Sequence, residues 1–494
     1  MTSNRFPAFM HPFPGWGVFL LLTACAPVGP DYQAPLPPMP EHWQSNREHV
    51  LQHRTAVPEH WWRLFKDARL DALIREAVTA NPDLAIAETR IREARAQGLV
   101  ADAALLPAVD VDSGYSNVRK SEHVSSGGTR QDVFQFGFDA AWELDLFGGN
   151  RRQSEAAAAT LAATVEDYRD VLVSLSAEVA KNYIDLRAAQ KRLGIAAQNI
   201  KLQEQTLCLT RERYAIGLGD SLETVQAQTQ LALLQAQVPP LEDLAAKARH
   251  QLSLLLGKQP DQENWLGSAP LPQPPLQLPG LLPSALLRQR PDIRSAERGL
   301  AAANAEVGVA TADLFPRFSL SALIGLQSAD VNRLITSGSR YWTLGPAVQW
   351  PLFDGGRRRA TLAASEARLD RARLQYQKTV LTALAEVEDA LVDFNREQGA
   401  QMRLDEAVRS SRQAAELSRY RYKAGLSDFL NVLLAEATLA QSEDKLAQSD
   451  QRLSLAMIAL YKAMGGGWQT GTTAPSPSDG INSEAIPSSG HTHP

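Results

Sequence analysis

The sequence predicts a mixed α and β membrane protein that is internally duplicated, with short amphipathic strands at one end of very long helices. Three observations carry this. Landmarks in the 494-residue chain recur at a distance of about 208 residues. Four stretches of about ten residues alternate apolar and polar side chains. Two far longer stretches contain no Pro and almost no Gly, and no globular domain of this size holds such helices inside. A repeat this long is a duplicated domain-sized hairpin rather than a solenoid unit.

The landmarks pair one by one. Pro82-Asp83 recurs as Pro291-Asp292, and Pro107 as Pro316. Trp142, before Gly148-Gly149, recurs as Trp350, before Gly355-Gly356. Arg213-Tyr214-Ala215-Ile216-Gly217-Leu218 recurs as Arg421-Tyr422-Lys423-Ala424-Gly425-Leu426. Hydrophobic content of 44% allows a large core, while aromatics are only 7%, a profile of closely packed helices. A net charge of -5 gives no basic footprint, so nucleic acid is not an expected partner.

Residues 1–24 read as a secretory signal. Arg5 precedes an apolar run that ends Leu20-Leu21-Leu22-Thr23-Ala24-Cys25, too short to span a bilayer. Leu22-Thr23-Ala24-Cys25 resembles a bacterial lipobox, in which Cys25 becomes the first mature residue and is acylated; the other reading is an ordinary signal with an incidental cysteine. Ala26 follows, not Asp, and in lipoproteins that implies delivery to the outer membrane. Residues 25–60 are a Pro-rich lipidated arm. No later segment offers eighteen consecutive apolar residues, so any crossing of a membrane is made by strands.

The first repeat spans 61–256. One helix is expected from 61 to about 79, and Asn81-Pro82-Asp83 opens a second, which runs to about 105. From Ala108 the period becomes two: Val109, Val111, Ser113 and Tyr115 alternate with Asp110, Asp112 and Gly114, giving a strand at about 108–118. Phe134, Phe136, Phe138, Ala140 and Trp142 define the next, at about 132–143. The second repeat, 291–464, has matching strands at about 317–327 and 341–350. A soluble hairpin on a core has the same pattern, but ten residues is also the length of a tilted membrane strand. Tyr115, Trp142, Tyr341, Trp342 and Trp350 suit an interfacial girdle. Each second strand ends in Gly-Gly followed by Arg151-Arg152 or Arg357-Arg358-Arg359. These cations oppose the macrodipole of the helix they begin, and anionic lipid headgroups or plain solvation would offset that.

Long helices follow, at 151 to about 215 and 357 to about 424, each roughly 100 Å at 1.5 Å per residue. Each turns at a tip, 213–222 or 421–430, and returns as a shorter helix, at about 222–256 or 428–464. The helices before the strands supply the missing length, which predicts a rod with strands at one end and tips at the other. Residues 257–290 form a Pro-rich equatorial linker, and 465–494 are expected to be a disordered tail. Cys208 reads as a small buried residue of a helix.

Four strands cannot close a barrel, and an open sheet edge in hydrocarbon is prohibitively costly. Two chains would supply eight strands and three would supply twelve; a conduit favours three. Nothing in the sequence forms a catalytic constellation or a cofactor motif. The nine histidines fall mostly in the arm, a loop or the tail, and His491-Thr492-His493 is a weak metal site.

The tips hold the candidate functional residues: Arg213, Tyr214, Gly217, Leu218 and Asp220 in the first, Arg421, Tyr422, Gly425, Leu426 and Asp428 in the second. The glycines admit the left-handed residue that stops each long helix, and the aspartates are placed to cap the returning helices. Two like loops also make a repeated docking surface.

Taken in order, the lipobox, the four strands, the Gly-Gly turns, the doubled long helices and the doubled Arg-Tyr-x-x-Gly-Leu tips resemble the outer membrane factors of bacterial tripartite efflux and type I export systems. The lipoprotein branch that serves resistance-nodulation-division pumps is the nearest in pattern. The resemblance runs from about Pro27 to Trp468. It implies a homotrimer: a 12-stranded outer-membrane β-barrel, four strands per chain, continuous with a long periplasmic α-helical barrel. It further implies a periplasmic adaptor at the tips, an inner-membrane pump, passive exit of drugs or other small solutes, and no enzyme activity or cofactor. It places Tyr422 and Glu223 at the closed aperture, in contact with each other. Where many relatives carry aspartates on the second returning helix, this chain has Asn431 and Leu434, which implies apolar closure rather than an acidic ring. The competing readings are an exit duct of a type I secretion system, a lipid-anchored periplasmic coiled coil, which leaves the strands unexplained, and a periplasmic hydrolase.

Overall fold

In the computed structural model the described residues are 27–44, 58–119, 121–123, 128, 130–260, 267–275 and 282–468. The signal with Cys25, and the tail from 469 with His491 and His493, lie outside them. Among the described residues no helix is long and apolar enough to cross a membrane.

The elements in chain order are α1 (Ala68–Ala80), α2 (Pro82–Ala103), β1 (Ala108–Arg119), β2 (Arg130–Leu144), α3 (Gly149–Ala215), α4 (Ser221–Gln235) and α5 (Val238–Leu255). There follow α6 (Leu286–Gln289), α7 (Pro291–Ala312), β3 (Arg317–Ser328), β4 (Arg340–Gln349), α8 (Arg357–Lys423) and α9 (Phe429–Ala463). Helices α3 and α8 have 67 residues each. Their sequences are dominated by Ala, Leu, Gln, Glu and Arg, which lose little on entering a helix.

Two local breaks depart from the sequence reading. The helix expected from 61 to 79 is a 3-10 turn, Trp61–Phe65, followed by α1; Lys66 between them takes a left-handed φ of 54°. Asp67 then starts α1 by accepting from the backbone N–H groups of Arg69 and Leu70. The first returning helix, expected unbroken, is interrupted at Ala236 and Gln237. Pro239 and Pro240 are the cause: they have no N–H to give to the preceding turn, and are tolerated only where a new helix begins.

Contacts divide the chain into two compact units that cut across the sequence repeats, because packing follows side-by-side neighbours rather than chain order. The first holds Met1–Pro37, Glu88–Thr164 and Ile293–Val380. Its sheet is antiparallel in the order β1-β2-β3-β4. The register puts Val109, Ala140, Ala322 and Leu344 in one row and Val111, Phe138, Ile324 and Trp342 in the next. The opposite face carries Asp110, Asp139, Leu323 and Thr343 in one row. One face is therefore apolar across all four strands, and the other is polar. Tyr341 is opposite Gly325 on the polar face, not in the girdle proposed for it.

In this unit Trp142 and Trp350 do the same task in each repeat. Their indole N–H groups donate to the carbonyls of Leu105 and Leu314, at the ends of the helices that precede the strands, at 3.0 and 3.3 Å. Of the arginines after the Gly-Gly turns, Arg151, Arg152 and Arg358 pair with carboxylates of their own chain. Asp145 accepts from the backbone N–H of Asn150 and Arg151, and Asp354 from those of Gly356 and Arg358. Arg152 is buried against the arm, 2.7 Å from Asp31 and 2.8 Å from Glu155. The arm is fastened closely: a Cβ on Gly29, whose φ is +92°, would lie 2.5 Å from the Gly308 Cα.

The second unit holds Pro38–Ala87, Val165–Asp292 and Leu381–Pro494. Trp61 stacks on Tyr461 at 5.3 Å. Linker residues 267–275 lie against α3 and α9, with Arg187 donating to Gly267 O and Ser454 to Pro272 O. Gly465–Trp468, assigned to the tail from sequence, is packed: Trp468 is 4% exposed and its indole donates to Gln289 O at 3.0 Å.

Candidate functional site

The tips lie in the second unit and are built alike. Gly217 (φ 75°) and Gly425 (φ 71°) stop the long helices in the left-handed conformation. In each, two backbone bonds close the loop: Gly217 to Tyr214 O and Leu218 to Arg213 O, then Gly425 to Tyr422 O and Leu426 to Arg421 O. This satisfies carbonyls that the helix ends would otherwise leave open. Asp220 caps α4, accepting from Leu222 N at 3.2 Å. Asp428 holds the N-cap backbone position of α9, but its carboxylate makes no capping bond. The expected pair of caps is thus a single one; beside Asp428, Asn431 Nδ2 donates to Ser427 Oγ at 3.0 Å instead.

The tips are joined through Tyr422 of the second, which meets Glu223 and Arg213 of the first. The Tyr422 hydroxyl donates to Glu223 Oε2 at 2.7 Å. Arg213 lies over the Tyr422 ring, 4.7 Å from its centre, and donates to Leu218 O at 3.1 Å. Arg213 Nε is buried without a partner among the described residues. Tyr422 is 2% exposed and packs with Phe429, Leu207, Ala227 and Val432. Burial, and then the bond to Glu223, push its phenol up to about 12.

Around this core the tips are open and apolar. Leu218 is 65% and Leu426 66% exposed, and Ile216, Leu222, Val225 and Leu434 are exposed too. Asn431 is exposed at the start of α9. Cys208 is exposed rather than buried; its thiol, 3.4 Å from Glu212, is pushed up by that hydrogen bond.

Sequence reasoning missed the polar ladder behind the tips. Glu436 on α9 is buried and takes hydrogen bonds from Thr206 of α3 and Arg419 of α8. Further along α9, Asp444 pairs with Arg192 at 2.6 Å, and Asp450 with Lys191 at 2.5 Å. The signal was a charge every few residues on α9, legible only once the neighbours are known. Among the described residues no cluster could hold a metal ion.

A family model described as "Outer membrane efflux protein" matches residues 73–258 and 282–466, which are the two repeats. The chain belongs to the outer membrane efflux protein family. It is 32% identical over 459 residues to the cation efflux system protein CusC of Escherichia coli O6:H1, covering 92% of this chain and 98% of that one. It is 34% identical over 460 residues to the toluene efflux pump outer membrane protein TtgI of Pseudomonas putida, covering 91% and 97%. Among solved structures, that of the outer-membrane channel OprN superposes with a TM-score of 0.85 at 36% identity, covering 89% of this chain and 99% of that one.

Membership fixes the setting. The efflux protein is a bacterial outer-membrane channel with a periplasmic portion, a passive conduit and not an enzyme. It is trimeric, with twelve strands in the barrel and a helical barrel beyond, and it works with a periplasmic adaptor and a pump of the resistance-nodulation-division type. The apolar face of the four strands accordingly meets lipid, and the polar face lines the lumen.

Proposed function

We propose that the two tips are the closed periplasmic entrance of this channel, held by Tyr422, Glu223 and Arg213 and opened when an adaptor docks on the loops. The observation that carries the reading is the 2.7 Å hydrogen bond from Tyr422 to Glu223, with Arg213 over the same ring. It joins one tip to the other through a buried phenol. The exposed side chains of Ile216, Leu218 and Leu426 surround it and offer the docking surface. The docking set is Arg213, Tyr214, Gly217, Leu218, Asp220, Arg421, Tyr422, Gly425, Leu426 and Asp428; Asn431 and Leu434 belong to the aperture.

The duct itself is unselective among toxic solutes. Two relatives of nearly equal identity are named for cations and for toluene, so cargo follows the pump that loads the channel. Cys25 is the lipid attachment site. Two residues beyond it Pro27 is seated on the β2–α3 turn, where a Cβ on Gly148 would meet it at 2.5 Å.

The test is conductance of the purified trimer in a planar bilayer. Tyr422→Phe is expected to raise the closed-state leak; an unchanged leak overturns the entrance reading.

A further inference from the structure

The lipid-facing side of the sheet changes character along the strands. Its periplasmic end is marked in both repeats by a tryptophan, Trp142 or Trp350, tied to the end of the helix that precedes the strands. Rows holding Val109, Leu344, Val111 and Ile324 follow, and further out come Phe136, Tyr115 and Phe134. At the outer end the same face carries three arginines: Arg119 at the end of β1, Arg130 at the start of β2 and Arg340 at the start of β4. Arg130 is twelve residues along the chain from Trp142, and Arg340 is ten from Trp350. At about 3.3 Å per residue and a strand tilt of about 40°, those separations give a height of about 25–30 Å, the depth of the apolar band of a bilayer. With the tryptophans at the inner headgroups, the arginines stand at the headgroups of the outer leaflet.

Arg119 and Arg130 are directly opposite in the register. Like charges so placed repel, which weakens the sheet unless an anion lies between them. The chain offsets this only in part. Glu122 meets Arg119 at 3.2 Å, with both side chains exposed, and the Arg130 and Arg340 side chains have no partner among the described residues. Asp132, on the same face of β2, is taken up by Tyr115 and Asn117 at 2.9 and 2.7 Å. A guanidinium presents a planar fork that fits two phosphate oxygens. A phosphate monoester carries nearly two negative charges and so matches two facing cations, whereas a phosphodiester carries one. We propose that Arg119 and Arg130 bind the phosphate monoester of an outer-leaflet lipid, of the phosphorylated glycolipid class. The occupant is a lipid rather than free phosphate, because the aromatic and aliphatic rows continue directly below the pair and give acyl chains a surface to lie on.

The test uses the full-length trimer in phosphatidylcholine nanodiscs, with bisphosphorylated lipid A as the probe. The readout is the temperature at which the trimer band is lost on a gel. The parent trimer is expected to gain heat stability from lipid A, and to gain none from phosphatidylglycerol, inorganic phosphate or dephosphorylated lipid A. Arg119→Gln/Arg130→Gln is expected to need about tenfold more lipid A for the same gain, the order that one charge-assisted hydrogen bond carries. Without lipid A, Arg130→Gln is expected to be at least as heat-stable as the parent, since it relieves the facing charges; an arginine with a purely structural role would lose stability there. An equal response of parent and double variant to lipid A overturns the proposal. So does an equal gain of the parent from phosphatidylglycerol or from inorganic phosphate, which would show an anion site with no preference for the monoester lipid. The dephosphorylated lipid probes the parent without any substitution, so its stabilising the parent as well as lipid A does overturns the proposal even if the variants fail to assemble.

Discussion

Replacing Tyr422 by Phe removes one hydroxyl and leaves the ring between Arg213 and Phe429. What is lost is a hydrogen bond to a carboxylate, about 1.5–3 kcal/mol per subunit. Every 1.4 kcal/mol is a factor of ten, so one seam already shifts closure by at least about tenfold, and three that open together shift it by about 4.5–9 kcal/mol. Since the packing of the ring remains, thermal unfolding of the trimer is expected to change little while open probability rises. The pH dependence adds a second arm. The Tyr422 phenol is pushed up to about 12 against an ordinary value of about 10. A raised value means that the folded tip favours the protonated phenol. Its contribution to closure is fully present below about pH 10 and is lost as pH rises through about 12. Parent channels should therefore open reversibly in that alkaline window, and Tyr422→Phe channels should show no such step. Equal leak in parent and variant, or an alkaline step that persists in the variant, refutes the assignment.

Arg419→Ala leaves the buried Glu436 carboxylate without its cation and is expected to cost about 3–5 kcal/mol, read as a lowered melting temperature, with partial recovery in Arg419→Ala/Glu436→Gln. Asp110 and Asp139 are directly opposite across β1 and β2, so Asp139→Asn should stabilise the barrel by about 0.2–1 kcal/mol, measured as a higher temperature for the heat-modified gel shift. Asp31→Ala removes an acceptor from buried Arg152 and should loosen the arm, giving faster proteolysis near 27–37 with conductance unchanged.

The sheet was legible because each strand alternates over most of its length and one slip of register would turn its apolar face to water; the long helices were legible because nothing interrupts them. Four departures each have a local cause. The break at Lys66 needs a left-handed non-glycine residue, which no composition signals. The break before α5 was signalled by Pro239-Pro240, which the reading of one continuous helix over 222–256 passed over. Asp428 has the right position for a cap, but position does not decide where a carboxylate turns. The carboxylates beside the Gly-Gly arginines went unread, although Asp145 and Asp354, themselves a repeated pair, closely precede each turn. The tip contact between Tyr422 and Glu223, 199 residues apart, followed from family resemblance, since no local pattern brings them together.

The duplicated hairpins have unequal mechanics, and the difference lies in their returning helices. In the second, α9 runs 35 residues and is tied along its length, to α3 through Thr206, Arg192 and Lys191 and to α8 through Arg419, Arg412 and Gln401. Pro239 and Pro240 of the first hairpin correspond to Ala447 and Gln448, within the stretch of this ladder that holds Asp444 and Asp450. The first hairpin has a break where the second is fastened. Its α4 is 15 residues long, and it is held chiefly by Ala227 and Leu234 and by Gln203 donating to Ala227 O at 3.0 Å. Short helices with few cross-ties open locally at low cost. Amide hydrogen exchange is therefore expected to be faster across 221–235 than across 429–463, in parent and in Tyr422→Phe alike. On the closed-entrance reading, an adaptor that displaces the tips is expected to move the side bearing Glu223 away from Tyr422, rather than the reverse. Uniform protection of both helices removes that order of events, because it would show the two hairpins yielding as one.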